Sequence, residues 1–364
     1  MSIIDMAKVG LGVSTHEKKL KKLGLTPCDI MIAAYHHEQP PVVPNTFVDG
    51  AMITPMPSLQ KYDEKGIGKD AWGVEWVFDA EQFSFVPTVG NPVLDDVTKW
   101  KEVVRFPDLN SFDWERISDD DIHCDGLHKL TTMEYRRLPK NGRFNDGNKC
   151  GIAMSLIGPT ERFHALMGFQ NALEASVEEP EATADLLMAI AEWTIEYYKI
   201  IKKYYPVRVI NQHDDFGMGD RMIMSLNMWR EIVKPYLKRL VDAAHELGFI
   251  YQHHSCGYME PLIPEYIDLG IDAMDVVQRC CNKNIFELKK KYGDKITFVS
   301  AFDNVNVFDR IGATDTEFKN EYETVINAMA PGGSYISFPA GLTTQSMIPC
   351  MAKHFDICYR TYGS

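Results

Sequence analysis

The stretch Phe249-Ile250-Tyr251-Gln252-His253-His254-Ser255-Cys256-Gly257 passes from apolar to polar and stops at a glycine. Its first half reads as a strand, and a helix-like segment follows it. Side chains on a strand alternate between faces, so His254 and Cys256 aim at one point. Imidazole plus thiolate is a zinc-ligand combination. If the strand belongs to a barrel, its C-terminal end lies on the face where barrel enzymes do chemistry.

The surrounding chain sets that strand in a rhythm. Ile152–Ile157 is a short apolar run stopped by Gly158-Pro159. A long amphipathic helix follows Pro180, with Leu186, Leu187, Ile190, Trp193, Tyr197, Ile200 and Ile201 at three- and four-residue spacing. Arg208-Val209-Ile210 reads as a strand entering Gln212-His213-Asp214-Asp215. Ser225 caps the next helix, and Pro235 inside it predicts a kink or a split. Downstream come strand 249–253, helix 259–269, strand 272–277, a helix near 283–291 and strand 296–301. Thr314 and Glu317 form a capping-box pattern before helix 317–330. Strand 334–338 and a last helix near 345–359 close the chain.

Strands alternating with helices predict a parallel sheet. About six such units run from 150 onward, and two more strands before 110 would complete an eight-stranded barrel. The expectation is therefore one α/β domain, a (β/α)8 TIM barrel. Residues 1–41 form a helical extension and 42–364 the barrel. A long insertion rich in Asp, Asn and Gly covers 108–150. An open doubly wound sheet is the alternative. No glycine-rich phosphate fingerprint opens a helix, so dinucleotide binding finds no support.

The 364 residues are 45% apolar and 24% charged, ordinary for a globular protein. A formal net charge of −13 argues against nucleic-acid or anionic-membrane surfaces. No apolar run approaches a membrane span, and the N-terminus lacks a signal-peptide core. A cytoplasmic location with reduced thiols is the expectation. The eight cysteines are scattered, without CxxC spacing.

A metal site needs three or four converging ligands. Beyond His254 and Cys256, the candidates are His213, Asp214 or Asp215 on the preceding strand, Gln278 on the next, and Cys350 beyond the last. Other features carry plainer readings. His36-His37 reads as exposed loop, Trp72 and Trp76 as core packing, and Asp119–Asp121 as a solvated turn. Asp303-Asn304 reads as a loop held by side-chain-to-backbone bonds. Cys280-Cys281 is expected to pack under the following helix rather than bind metal, because adjacent side chains diverge.

Several of these segments resemble the uroporphyrinogen decarboxylase superfamily. They are Ser225 with Trp229-Arg230-Glu231 and Lys234-Pro235-Tyr236, His245 with Gly248, His254-Ser255-Cys256-Gly257, Gly270-Ile271-Asp272, and Pro331 to Ile336. The resemblance covers roughly 150–364 and implies a single barrel with an N-terminal helical extension. Decarboxylases of that superfamily grip porphyrinogen carboxylates with an arginine-rich N-terminal segment. Here Ala34 to Pro41 carries no arginine, and none occurs before Arg105. The other branch comprises zinc-dependent methyltransferases that exchange methyl groups with a corrinoid protein. Its signature is His-x-Cys plus a cysteine after the last strand. His254 and Cys256 match the first part, whereas Pro339-Ala340-Gly341 lacks the second cysteine.

Gly73-Val74-Glu75-Trp76 resembles members that demethylate methoxylated compounds. The resemblance thus implies zinc at His254 and Cys256, with Asp215, Gln278 or Cys350 as third ligand. It implies Asp214, Asp215 and Gln278 as catalytic groups, and His213, Tyr258 and Asp303 at the substrate. The implied partners are a corrinoid (cobalamin) protein and a small O-methylated substrate. Two alternatives stand beside this reading: a uroporphyrinogen-type decarboxylase, and an inactive barrel that binds a corrinoid protein. The oligomeric state stays open, a homo-oligomer included.

Overall fold

Among the described residues, seven strands run parallel in one curled sheet: β1 (Gly50–Ile53), β6 (Cys150–Ser155), β7 (Val209–His213), β8 (Ile250–His254), β9 (Ala273–Val277), β10 (Thr297–Ser300) and β11 (Tyr335–Ile336), paired in that order. Between β1 and β6, β2 (Lys61–Tyr62), β3 (Ile67–Lys69), β4 (Glu75–Asp79) and β5 (Ser84–Pro87) form a separate antiparallel sheet. This computed structural model describes residues 13–55, 61–62, 67–79, 84–123 and 148–339. The expected final helix near 345–359, Ala340-Gly341, Cys350 and much of the 108–150 insertion lie outside them.

The ring closes where an open sheet would have an edge. Asn45 forms a parallel bridge with Ser337, just beyond β11. Ser337 N–H donates to the Pro44 carbonyl at 2.8 Å, and Thr46 N–H to the Ser337 carbonyl at 2.9 Å. The architecture is TIM-barrel-like, and the doubly wound alternative falls. One expectation needs correcting: of the two strands sought before 110, only β1 joins this sheet as a full strand. The eighth place holds the Pro44–Asn45 bridge segment. Pro44 has no N–H to lend a ladder. The Asp49 carboxylate takes the Asn45 N–H at 2.8 Å, so the chain turns into the helix Thr46–Asp49 at once.

Helices follow the strands as expected. Pro159–Met167, Phe169–Glu178 and Pro180–Tyr204 lie between β6 and β7, and Lys234–Glu246 lies before β8. Ile263–Leu269, Ile285–Tyr292 and Asp315–Met329 separate the remaining strands. Apolar stripes such as Leu186, Ile190 and Ile201, and Tyr236, Leu237 and Leu240, are fully buried in the layer between helices and barrel. The predicted disturbance at Pro235 is a wide turn, Trp229–Val233, in which Lys234 N–H reaches back five residues to the Trp229 carbonyl. The Thr314–Glu317 capping box is present.

The N-terminal helix Pro27–Tyr35, capped reciprocally by Thr26 and Asp29, plugs the bottom of the barrel. Its Tyr35 hydroxyl donates to Gln252 Oε1 inside at 2.6 Å. At the other side, Asp70 accepts from Trp72 N–H, Val74 N–H and Trp76 Nε1–H at 2.9–3.0 Å. It also pairs with Arg162, which lies over the Trp72 ring. This buried knot ties the antiparallel sheet to the barrel, and both tryptophans are core residues, as read. Among the described residues, no helix is long and apolar enough to cross a membrane.

Candidate metal centre

Parallel register sets His213 and His254, the last residues of β7 and β8, beside Asp275 in the middle of β9. The two imidazoles stack, with ring centroids 3.9 Å apart and planes 10° from parallel. His254 Nδ1 lies 3.0 Å from Asp275 Oδ2, which also accepts from Asn211 Nδ2 at 2.9 Å. That carboxylate therefore fixes the His254 tautomer and turns Nε2 away from the sheet. Nε2 lies 3.6 Å from Cys256 Sγ. Burial opposes the His254 imidazolium. Asp275 and the Cys256 thiol outweigh it and hold the pKa well above the ordinary value.

Asp215 completes the group. Ligand atoms of Asp215, His254 and Cys256 all lie within 4.8 Å of one another, each residue half-buried. Asp215 Oδ1 accepts the Cys256 N–H at 2.7 Å, which locks the two loops together. Between them the backbones cross at Gly217 and Gly257. Gly257 has φ near +81°, and a Cβ there would collide with the Met218 carbonyl oxygen. Tyr258 N–H donates to that same carbonyl at 2.6 Å. The glycine after Cys256 thus serves close approach as well as turning.

The donor set fits zinc. A tetrahedral ion with bonds of about 2.0 Å to nitrogen and 2.3 Å to sulfur separates those two atoms by about 3.5 Å. His254 Nε2 and Cys256 Sγ already stand at 3.6 Å. Among the described residues three protein donors meet here, and three donors with a fourth position for water or substrate is the pattern of a catalytic zinc.

The other expected residues take different places. Asp214, next to Asp215, points away from the group. It accepts from Thr160 N–H, Glu161 N–H and the Tyr236 hydroxyl at 2.6–3.2 Å, capping the helix Pro159–Met167. Burial pushes its pKa up to about 7, against the pull of those donors. Gln278 accepts the Gly257 N–H at 2.7 Å, and its Nε2 lies 3.4 Å from Asn304 Oδ1. It clamps the Cys256 loop and stands outside the three-donor group. His213 stays neutral, its pKa driven well below the ordinary value by burial and by the neighbouring His254 and His253. Asp303 Oδ1 accepts the Asn306 N–H at 2.9 Å, the loop-holding arrangement read beside its substrate role. Tyr258 lines an open groove of about 470 Å³ with Met222, Met224, Leu226 and Pro261.

Two residues escaped the sequence reading. Asp275 carries no role in the sequence reading, because that role needs the β8–β9 register. Glu161 sits in the first turn of the helix after β6, where acids are commonplace. Burial, then the Asp215 and Asp214 carboxylates, push its pKa up to about 8. Cys280 and Cys281 contradict their expected divergence: their sulfurs lie 3.7 Å apart, and both residues are half-exposed.

The solved structure of a methyltransferase from Methanosarcina mazei shares this fold. Its TM-score is 0.66 at 13% identity, covering 92% of this chain and 98% of that one. No curated protein sequence matches the chain. The family model for uroporphyrinogen decarboxylase (URO-D) matches residues 145–354, which hold β6 to β11 and all three residues of the candidate metal group. The chain belongs to the uroporphyrinogen decarboxylase (URO-D) family.

Proposed function

We propose that the protein is a zinc-dependent methyltransferase, a demethylase component that moves a methyl group between a small O-methylated substrate and a corrinoid on a separate protein. The observation that carries this reading is the Asp215–His254–Cys256 group at the open barrel mouth, backed by Asp275. A fold shared with a solved methyltransferase supports it. Bound at these three residues, zinc supplies Lewis acidity to the substrate heteroatom.

The chain's own side chains position and protonate. Asp275 aims His254 Nε2, and Gln278 and Asn282 hold the Cys256 loop through Gly257. Asp214 is a positioning residue for the helix that carries Glu161. Glu161, whose pKa burial and the Asp215 and Asp214 carboxylates raise in the metal-free protein, is the carboxyl that would supply a proton to a departing basic oxygen. Tyr258 and the methionines beside it supply an apolar wall for the broad face of a corrin.

Metal analysis of the purified protein, with a methyl-transfer assay using methoxylated donors and reduced corrinoid protein, tests this. The expected result is zinc bound near one equivalent, and transfer abolished in His254→Ala. A metal-free wild-type protein, or unchanged transfer in His254→Ala, would refute the mechanism. Carbon dioxide release from a polycarboxylate without metal would instead reveal a decarboxylase. Corrinoid-protein binding without turnover of any donor would reveal an inactive barrel.

A further inference from the structure

Cys280 and Cys281 lie in the turn that follows β9. Cys281 N–H donates to the Gln278 carbonyl at 3.1 Å, and Asn282 N–H to the same oxygen at 2.9 Å. This tight turn draws the Cys280 and Cys281 sulfurs to 3.7 Å. Two sulfurs on one tetrahedral ion, with metal–sulfur bonds of about 2.3 Å, stand about 3.8 Å apart. The pair is therefore already spaced as one edge of such a site. Asn304 Oδ1 lies 3.9 Å from Cys280 Sγ and offers an oxygen on the same side.

The local field suits a cation. Burial is the largest influence raising both thiols, and the Asp303 carboxylate adds to it at each. The pair thus keeps its protons until a cation displaces them, as metal binding to thiols does. The turn is also tied to the first centre. Gln278 and Asn282, on either side of the two cysteines, hold Gly257 N–H, Gly257 C=O and Met259 N–H at 2.7–2.9 Å.

We propose that Cys280 and Cys281 bind one soft, thiophilic cation through both sulfurs, at a second site distinct from the Asp215–His254–Cys256 group. Cadmium is the probe, because its thiolate bonds absorb in the ultraviolet. Reduced, metal-free full-length protein is titrated as wild type, as Cys256→Ser, and as the double variant Cys280→Ser/Cys281→Ser. The double variant should bind one equivalent fewer than wild type, and Cys256→Ser should keep the equivalent that the double variant loses. Equal binding by wild type and a folded double variant would overturn the proposal.

A second measurement needs no variant. A trivalent phenylarsonous acid condenses with two thiols. Two arsenic–sulfur bonds form, two arsenic–oxygen bonds break, two waters leave with the thiol protons, and arsenic stays trivalent. Tryptic cleavage after Arg279 and Lys283 isolates Cys280-Cys281-Asn282-Lys283. One arsenical bridging both sulfurs of that peptide supports the site. Recovery of the peptide with both thiols free, after arsenical has reacted elsewhere on the chain, overturns it.

Discussion

Replacing Asp275 separates the charge behind His254 from the hydrogen bond that aims it. The carboxylate is 1% exposed, and its Oδ2 receives both His254 Nδ1 and Asn211 Nδ2. Asp275→Asn can keep an oxygen at that point, accepting from both partners, with its amide turned into the Oδ1 position. Oδ1 has no hydrogen-bond partner of its own. This variant loses charge and keeps aim. Asp275→Ala loses both, freeing the His254 tautomer and leaving the Asn211 amide unpaired. Outer partners of metal ligands contribute about 10–100-fold in affinity, or about 1.4–2.8 kcal/mol at 1.4 kcal/mol per tenfold. We expect Asp275→Asn near the lower figure and Asp275→Ala near the upper. The alanine variant should also lose about 1–3 kcal/mol of fold stability from the stranded amide. Competitive titration with a chromophoric zinc chelator gives the affinities, and urea unfolding of the metal-free proteins gives the stabilities. A folded Asp275→Ala protein with wild-type zinc affinity would refute the assignment of His254 Nε2 as a ligand aimed by Asp275.

Two further outcomes follow from interactions away from the centre. Arg162→Leu strands the Asp70 carboxylate in the core with its three N–H donors, and breaking a buried pair costs about 3–5 kcal/mol. The surviving donors place the loss near the lower end, and urea unfolding showing a loss below about 1 kcal/mol, the size of an exposed pair, would contradict the buried knot. His245 has its pKa raised by the Asp272 hydrogen bond, with burial opposing. Its stabilising contribution is therefore full below the ordinary histidine value of 6.5 and fades as pH rises through the higher folded value. The melting-temperature deficit of His245→Gln should be largest at acidic pH and close on the alkaline side, and a deficit that grows with pH would reverse the sign.

The barrel was legible from about residue 150 onward because each strand there is a short apolar run between a cap and a stop. Val209–His213 and Ile250–His254 need no distant information to be recognised as strands. The start of the barrel lacked that redundancy. Pro44 cannot donate to a ladder and Asp49 captures the Asn45 N–H, so a single bridge does the work of a strand. Nothing in the local pattern distinguishes that from an ordinary loop. The aromatic segments around Trp72 and Trp76 were legible as core, but their antiparallel partners were not, because pairing is a long-range property.

The same division runs through the metal centre. His254 and Cys256 are two apart on one chain, so strand period alone brings them together. Asp214 and Asp215 are consecutive and must diverge, but which of them faces the ligands depends on what waits on either side. A helix N-terminus with two free N–H groups and the Tyr236 hydroxyl claims Asp214, and the Cys256 N–H claims Asp215. The expected second cysteine near Ala340 would have answered the question of the third donor by resemblance. Among the described residues the geometry offers Asp215 as the candidate third donor, a hard oxygen where the resemblance expects a soft sulfur. An oxygen donor returns less charge to a zinc ion than a thiolate does, which leaves the ion a stronger acid toward a substrate oxygen. On the proposed function, an oxygen donor at Asp215 would favour activating a methyl ether over a thiol.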